Sequence, residues 1–121
     1  MANYQTLEVW KKGMVLVKDI YQYAKILPKE EMFGLTSQIK RAAVSVPTNI
    51  AEGMGRQRKK DCIHFMHIAR GSLYELETLL LICQDAFSIE QEKVNTLQST
   101  IIECMKQLNG FINYLEKADL K

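Results

Sequence analysis

A 121-residue chain that is 47% apolar and 25% charged suits one domain around one core, and two prolines with six glycines exclude a disordered or linker-rich polymer. A net charge of +2 excludes a strongly basic chain, and three cysteines without a C-x-x-C exclude a disulfide framework and an encoded zinc site. The opening MANYQTLEVWKKGM lacks the apolar stretch of a signal peptide, and no later apolar run is long enough to span a bilayer. A soluble protein in a reducing, cytoplasmic setting is the expectation, with residues 1–121 forming one domain.

Helical periodicity runs through the chain and strand-like alternation is nearly absent. In the first segment Leu7, Trp10, Met14, Val17, Tyr21 and Ala24 recur at +3/+4 steps and make one apolar seam. Val9, Gly13, Leu16, Ile20, Tyr23 and Leu27 make a second seam beside it, and Pro28 ends the helix. Two seams cover about two thirds of a helix, more than one neighbour can hide.

The second segment has a core line of Leu35, Ile39, Ala42, Ala43, Val46 and Ile50, with a flank of Val44, Pro47 and Ala51. Pro47 removes a backbone donor and crowds the carbonyl of Ala43, which predicts a kink in this helix. The freed carbonyl with Thr48 or Asn49 could form a small polar site, but a curved helix fitted to its neighbours is the preferred reading. Small residues at Ala42, Ala43, Ser45 and Ala51 suit close helix approach. Gly53 is read as the stop, because glycine tolerates the left-handed conformation that caps helices.

The third segment, about 58–87, carries Cys62, Phe65, Ala69, Leu73, Leu76, Leu80 and Cys83 on its core stripe. Ser88 with Gln91 matches a capping box and opens a fourth helix. There Val94, Leu97, Ile101, Cys104, Leu108, Phe111 and Leu115 hold the same spacing. Short connections make neighbours antiparallel, so the fold class is all-α: an up-down four-helix bundle with a kinked second helix.

Apolar residues remain beyond these stripes: Val9, Leu16 and Ile20 on the first helix, Val44 on the second, Ile63, Leu81 and Ile82 on the third, and Ile102, Met105 and Ile112 on the fourth. Left bare they would form a larger patch than a monomer tolerates, so a closed homo-oligomer is expected, with the first seven of these as candidate interface residues.

Charge is uneven. Residues 54–70 hold Arg56, Arg58, Lys59, Lys60 and Arg70 against Asp61 alone, whereas 71–88 hold Glu75, Glu77 and Asp85 with no basic residue. Arg41, Arg56, Arg58, Lys59 and Lys60 are the candidate contacts to RNA or DNA, through phosphate attraction. The Gly53-x-Gly55 pair is a poor phosphate loop, since it follows a helix and lacks both the third glycine and a parallel sheet.

Catalytic signals are thin. His64 and His67 have no third ligand on their face, Glu75 and Glu77 lie on opposite helix edges, and no E-x-x-H marks a di-iron bundle. No enzyme, metal or cofactor is predicted.

The stretches LEVWKKGMVLVKDIY, FGLTSQIKRAAVSVPTNIAEGMGR and KKDCIHFMHIARGSLYELETLL together resemble the four-helix bundle proteins encoded by intervening sequences within bacterial 23S rRNA genes. The resemblance covers roughly residues 5–115 and is most specific over 33–80. Gln38, Arg41, Pro47, Asn49, Glu52, Gly53 and Gly55–Arg56 fit the family pattern, as do Arg70–Ser72 and Glu75–Glu77. These proteins are similar in turn to the accessory variability protein of diversity-generating retroelements, a basic pentameric barrel of bundles that binds nucleic acid and a reverse transcriptase. The resemblance thus implies a homopentamer, with RNA or DNA as a ligand and a reverse transcriptase or another protein as an alternative partner. One departure is Arg58, where the family often places a capping serine.

Overall fold

Apolar residues spaced by three and four steps fold into four helices, each burying one stripe. A computed structural model describes residues 3–118. A short 3₁₀ turn, Tyr4–Thr6, leads into α1 (Glu8–Ala24), and a second, Lys29–Glu31, precedes α2 (Leu35–Met54). Helices α3 (Lys59–Phe87) and α4 (Glu92–Lys117) follow, and no strand occurs among the described residues.

Each helix packs on its sequence neighbours, and α1 closes the square against α4. The cross-helix contacts run in opposite senses. Gly13 of α1 meets Pro47 late in α2 whereas Tyr21 meets Lys40 earlier in it, and Lys12 bonds Glu103 across α1 and α4. Ser72 reaches Ser45 while Met66 reaches Gly53, and Arg70 reaches Asn109 while Gln84 reaches Gln91. Every adjacent pair is therefore antiparallel, as short connections dictate.

The core differs from the expected stripes in instructive places. On α1 the second seam, with Val9, Leu16, Ile20 and Tyr23, is the buried one. The first seam is half-open: Trp10 and Val17 are partly covered, and Met14 and Tyr21 are exposed. Met66 and Leu79 join the α3 core while Phe65 stays half-buried at its edge, and Ile112 is buried on α4 with Phe111 beside it.

Helix α2 runs unbroken through Pro47 to Met54. Its pyrrolidine ring is buried against α1, where a Cβ on Gly13 would lie only 3.4 Å from the Pro47 Cβ. Thr48 Oγ1 turns back to donate to the Val44 carbonyl, and Asn49 Nδ2 donates to both the carbonyl and the hydroxyl of Ser45. Ser72 Oγ completes the set by donating to Ser45 Oγ at 2.8 Å. Asn49, Ser45 and Ser72 thus join α2 to α3 through partners that satisfy one another.

Two expected caps are corrected. Gly53 lies inside α2, and the helix ends at Gly55 in an ordinary right-handed conformation. Gly53 is there for proximity: an added Cβ would sit 2.7 Å from Met66 Cε, 2.9 Å from Phe65 Cβ and 3.0 Å from the Cys62 carbonyl. Ser88 ends α3 in the left-handed region (φ 52°) and caps no later helix, since α4 begins after Gln91 without a side-chain cap bond. Gln91 instead joins an exposed amide chain with Gln84, Asn95 and Gln98.

Gly53→Ala should therefore destabilise the bundle by about 1–3 kcal/mol, because the Met66 methyl can swing away but the Cys62 carbonyl cannot. Gly110→Ala, where an added Cβ meets nothing, should instead stabilise it by up to about 1 kcal/mol. Urea titrations of the two variants check both signs.

The Tyr23 hydroxyl is buried and has no hydrogen-bond partner among the described residues. Burial, with Cys83 nearby, pushes its pKa up to about 12. Because this folded value exceeds the ordinary 10, the fold should hold its stability below pH 10 and lose it as pH climbs toward 12. Tyr23→Phe should stabilise the protein by up to about 1 kcal/mol near neutrality and shrink that alkaline loss, as read in melts between pH 8 and 12.

Candidate nucleic-acid interface

The five proposed cations do not form one patch. Arg56 lies in the α2–α3 turn, Arg58 is the residue before α3, and Lys59 and Lys60 open that helix. Arg41 sits well back along α2, about 20 Å away at 1.5 Å per residue. It is exposed on the outer face, beside Tyr21, Lys40 and Ser45.

Within the turn the charges have different employment. Arg56 Nη2 donates to Glu52 Oε2 at 2.8 Å one helical turn back, and its guanidinium lies over the Phe65 ring at 4.8 Å. Both ends of that ion pair are exposed, so it is worth under about 1 kcal/mol, but it neutralises Arg56 and fixes its direction. Lys59 Nζ donates to the Ala118 carbonyl at 3.0 Å and the Glu116 carbonyl at 3.4 Å. It thereby holds carbonyls at the C-terminal end of α4, where a cation also meets the negative end of the helix dipole. Arg58 and Lys60 are exposed and make no side-chain hydrogen bond or ion pair among the described residues. Helix α3 begins at Lys59 with no side-chain cap from Arg58, and Asp61 in its first turn complements the dipole.

Beside the turn lies a trough of about 770 Å³ between α1 and α2, with Trp10, Met14, Val44 and Pro47 in its walls and Arg56 at one end. A second hollow, about 570 Å³, continues past Val44 and Thr48 to Tyr21, Lys40 and Arg41. Lys40 Nζ stands 4.8 Å from the Tyr21 ring centroid, a cation–π distance. Sequence reading missed this trough because it treated the Trp10–Met14–Tyr21 seam as core.

The seven candidate interface residues also divide. Val9, Leu16 and Ile20 are sealed inside the monomer between α1 and its neighbours, so they cannot meet another copy. Ile63 is partly buried against the core. Val44, Leu81 and Ile82 are exposed, and sequence reading did not single out Met32 and Phe33, exposed by 56% and 92% in the α1–α2 connection.

Other reactive groups are quiet. Cys62, Cys83 and Cys104 are free and buried, and burial raises all three thiols, Cys104 to about 11. His67 Nδ1 accepts from Arg70 Nη2 at 2.7 Å, since a guanidinium has only donors, and Arg70 Nη1 also donates to Asn109 Oδ1. No cluster of three or more His, Cys, Asp or Glu side chains suited to a metal occurs among the described residues. No helix among them is long and apolar enough to cross a membrane.

A family model for the 23S rRNA-intervening sequence protein matches residues 5–110. A crystal structure from Bacteroides thetaiotaomicron, of a protein with unknown function from the S23 ribosomal protein family, is 26% identical with a TM-score of 0.79. The match covers 87% of this chain and 95% of that one. No curated protein matches.

Lys59→Ala should cost the fold up to about 1 kcal/mol and speed amide exchange in the last turn of α4. Arg58→Ala should do neither. Hydrogen exchange on the two variants separates the structural cation from the free one.

Proposed function

The chain belongs to the 23S rRNA-intervening sequence protein family, and we propose that it works without catalysis as a self-assembling bundle that presents its α2–α3 turn to RNA or DNA. The observation that carries this is the pair of exposed cations, Arg58 and Lys60, at the mouth of α3, uncommitted among the described residues. The N-terminal amides and positive dipole end of that helix add to their pull on phosphate. Two cations per copy are too few for firm binding, so assembly is part of the proposal: a ring, five-membered as the resemblance implies, repeats the turn and raises its effective concentration on one strand. The exposed Met14, Val44, Leu81, Ile82 and Ile102 supply surface for such assembly. A cytoplasmic setting suits the three free thiols.

A second reading, a scaffold that docks a reverse transcriptase or another protein, is favoured by Phe33. A phenyl ring 92% exposed beside Met32, at the end of the bundle opposite the basic turn, is a natural anchor for a protein partner.

Binding of a labelled single-stranded RNA should weaken as salt rises, with a log–log slope of about 0.7 for each phosphate neutralised. Arg58→Glu with Lys60→Glu should lower affinity at least tenfold at low salt and flatten that slope, while helicity stays unchanged. Unchanged affinity in this double variant overturns the polyanion reading. A protein that co-purifies with the wild type and is lost on Phe33→Ser would instead support the scaffold reading.

A further inference from the structure

Two exposed apolar surfaces of opposite charge lie on different sides of the bundle. One is the α1–α2 trough, where Val44 links the two hollows and Lys40 and Arg41 stand at the rim. These two are the only charged residues between Leu35 and Ala51, and at the trough's far end Glu52 and Arg56 pair with each other. The other is the outer stripe of α3, where Ile68, Tyr74, Leu81 and Ile82 are exposed. From Ile68 to Asp85 its charges are Arg70, whose guanidinium is turned to His67 and Asn109, and the acidic Glu75, Glu77 and Asp85. The trough follows α2 from Ser37 to Gly55, about 27 Å, and the stripe follows α3 from Ile68 to Asp85, about 26 Å.

Gly71 adds an independent observation. It sits inside α3, within the stripe, and an added Cβ would meet nothing within 4 Å. Glycine weakens a helix interior relative to alanine, and no neighbour among the described residues needs the space. Gly53 and Gly13, by contrast, are each met by a neighbouring helix, and Gly110, as open as Gly71, lies on α4 outside the stripe. An unfilled glycine in an exposed apolar stripe leaves a notch into which another backbone or a bulky side chain fits.

We infer that the occupant of the trough is the α3 stripe of a second copy of this chain, seated as a helix in a groove, with Lys40 and Arg41 facing Glu75 and its acidic neighbours. The two surfaces share no residue, so the contact is head-to-tail and each copy keeps one free surface until a ring closes. This assigns Arg41 to the subunit contact and leaves the polyanion to Arg58 and Lys60. It rests on the self-assembly reading above and names the surfaces that perform it.

The test uses the full chain, light scattering for mass and circular dichroism for folding. Val44→Glu blocks the trough and Gly71→Arg blocks the stripe. Each variant alone should be a monomer, and an equal mixture should give a particle of one copy of each and nothing larger, because only one intact trough can meet one intact stripe. Variants that stay assembled, or a mixture that stays monomeric, overturn the head-to-tail assignment while wild-type assembly stands. A monomeric wild type at high concentration removes the self-assembly reading and this inference together. Should either variant lose helicity, the exposed substitutions Arg41→Glu and Glu75→Lys replace the pair. Each alone should be a monomer, and the mixture should reassemble, because the reversed trough of one meets the reversed stripe of the other and the two unaltered surfaces meet as before. A mixture of these two that stays monomeric overturns the assignment.

Discussion

The approach of α2 to both of its neighbours is the constraint on which the rest of the molecule depends. On one side the ring of Pro47 lies against Gly13, where any side chain on α1 would press on it. On the other side Gly53 admits Met66, Phe65 and the Cys62 carbonyl so closely that no Cβ fits without movement. Between these points Ser45 and Ser72 share a hydrogen bond across the α2–α3 seam. Small residues let backbones draw together, and dense packing then fixes the geometry of everything attached. The α2–α3 turn is attached in this way: Phe65, held at the Gly53 contact, is the ring on which Arg56 lies.

Much of the fold was legible because the periodicity is regular. Four helices, their order and most of their core residues follow from +3/+4 spacing alone, and the short connections fix the antiparallel sense. The choice between the two α1 seams was not legible from spacing, since both have it. The informative signal was residue type. Trp10, Met14 and Tyr21 are large, adaptable or amphipathic side chains suited to a half-covered face, whereas Leu16 and Ile20 are compact branched ones suited to a sealed core. Gly53 was misread for a related reason: a glycine near a helix end is as compatible with close packing as with a cap, and only the position of α3 decides.

The candidate site was legible as a set of charges and illegible as a geometry. Sequence shows four cations close together, Arg56, Arg58, Lys59 and Lys60, with Arg41 further back, and the helix between places it about 20 Å away. Arg56 is matched to Glu52, a partner visible at i−4 in the sequence. The service of Lys59 to α4 could not have been read, because its acceptors are carbonyls near the far end of the chain. Three-dimensional structure therefore subtracts from the site more than it adds, and the two cations left over are the ones that make no side-chain bond among the described residues.

That subtraction bears on how such a chain can act at all. A pair of exposed cations gains little in water at physiological salt, and a single copy would hold a phosphate backbone only fleetingly. On the proposed function, binding strength would come from copy number, which requires surfaces that join copies without consuming the turn. The exposed apolar residues meet that requirement, since Val44 and Leu81 lie on the sides of the bundle while Arg58 and Lys60 lie at its end. In the proposed assembly, joining through the sides would leave every turn at one rim of the particle, so the same packing that hides apolar surface would also gather charge. On that proposal the small net charge of +2 per chain is no obstacle, because what a polyanion would meet is the local density of cations along that rim.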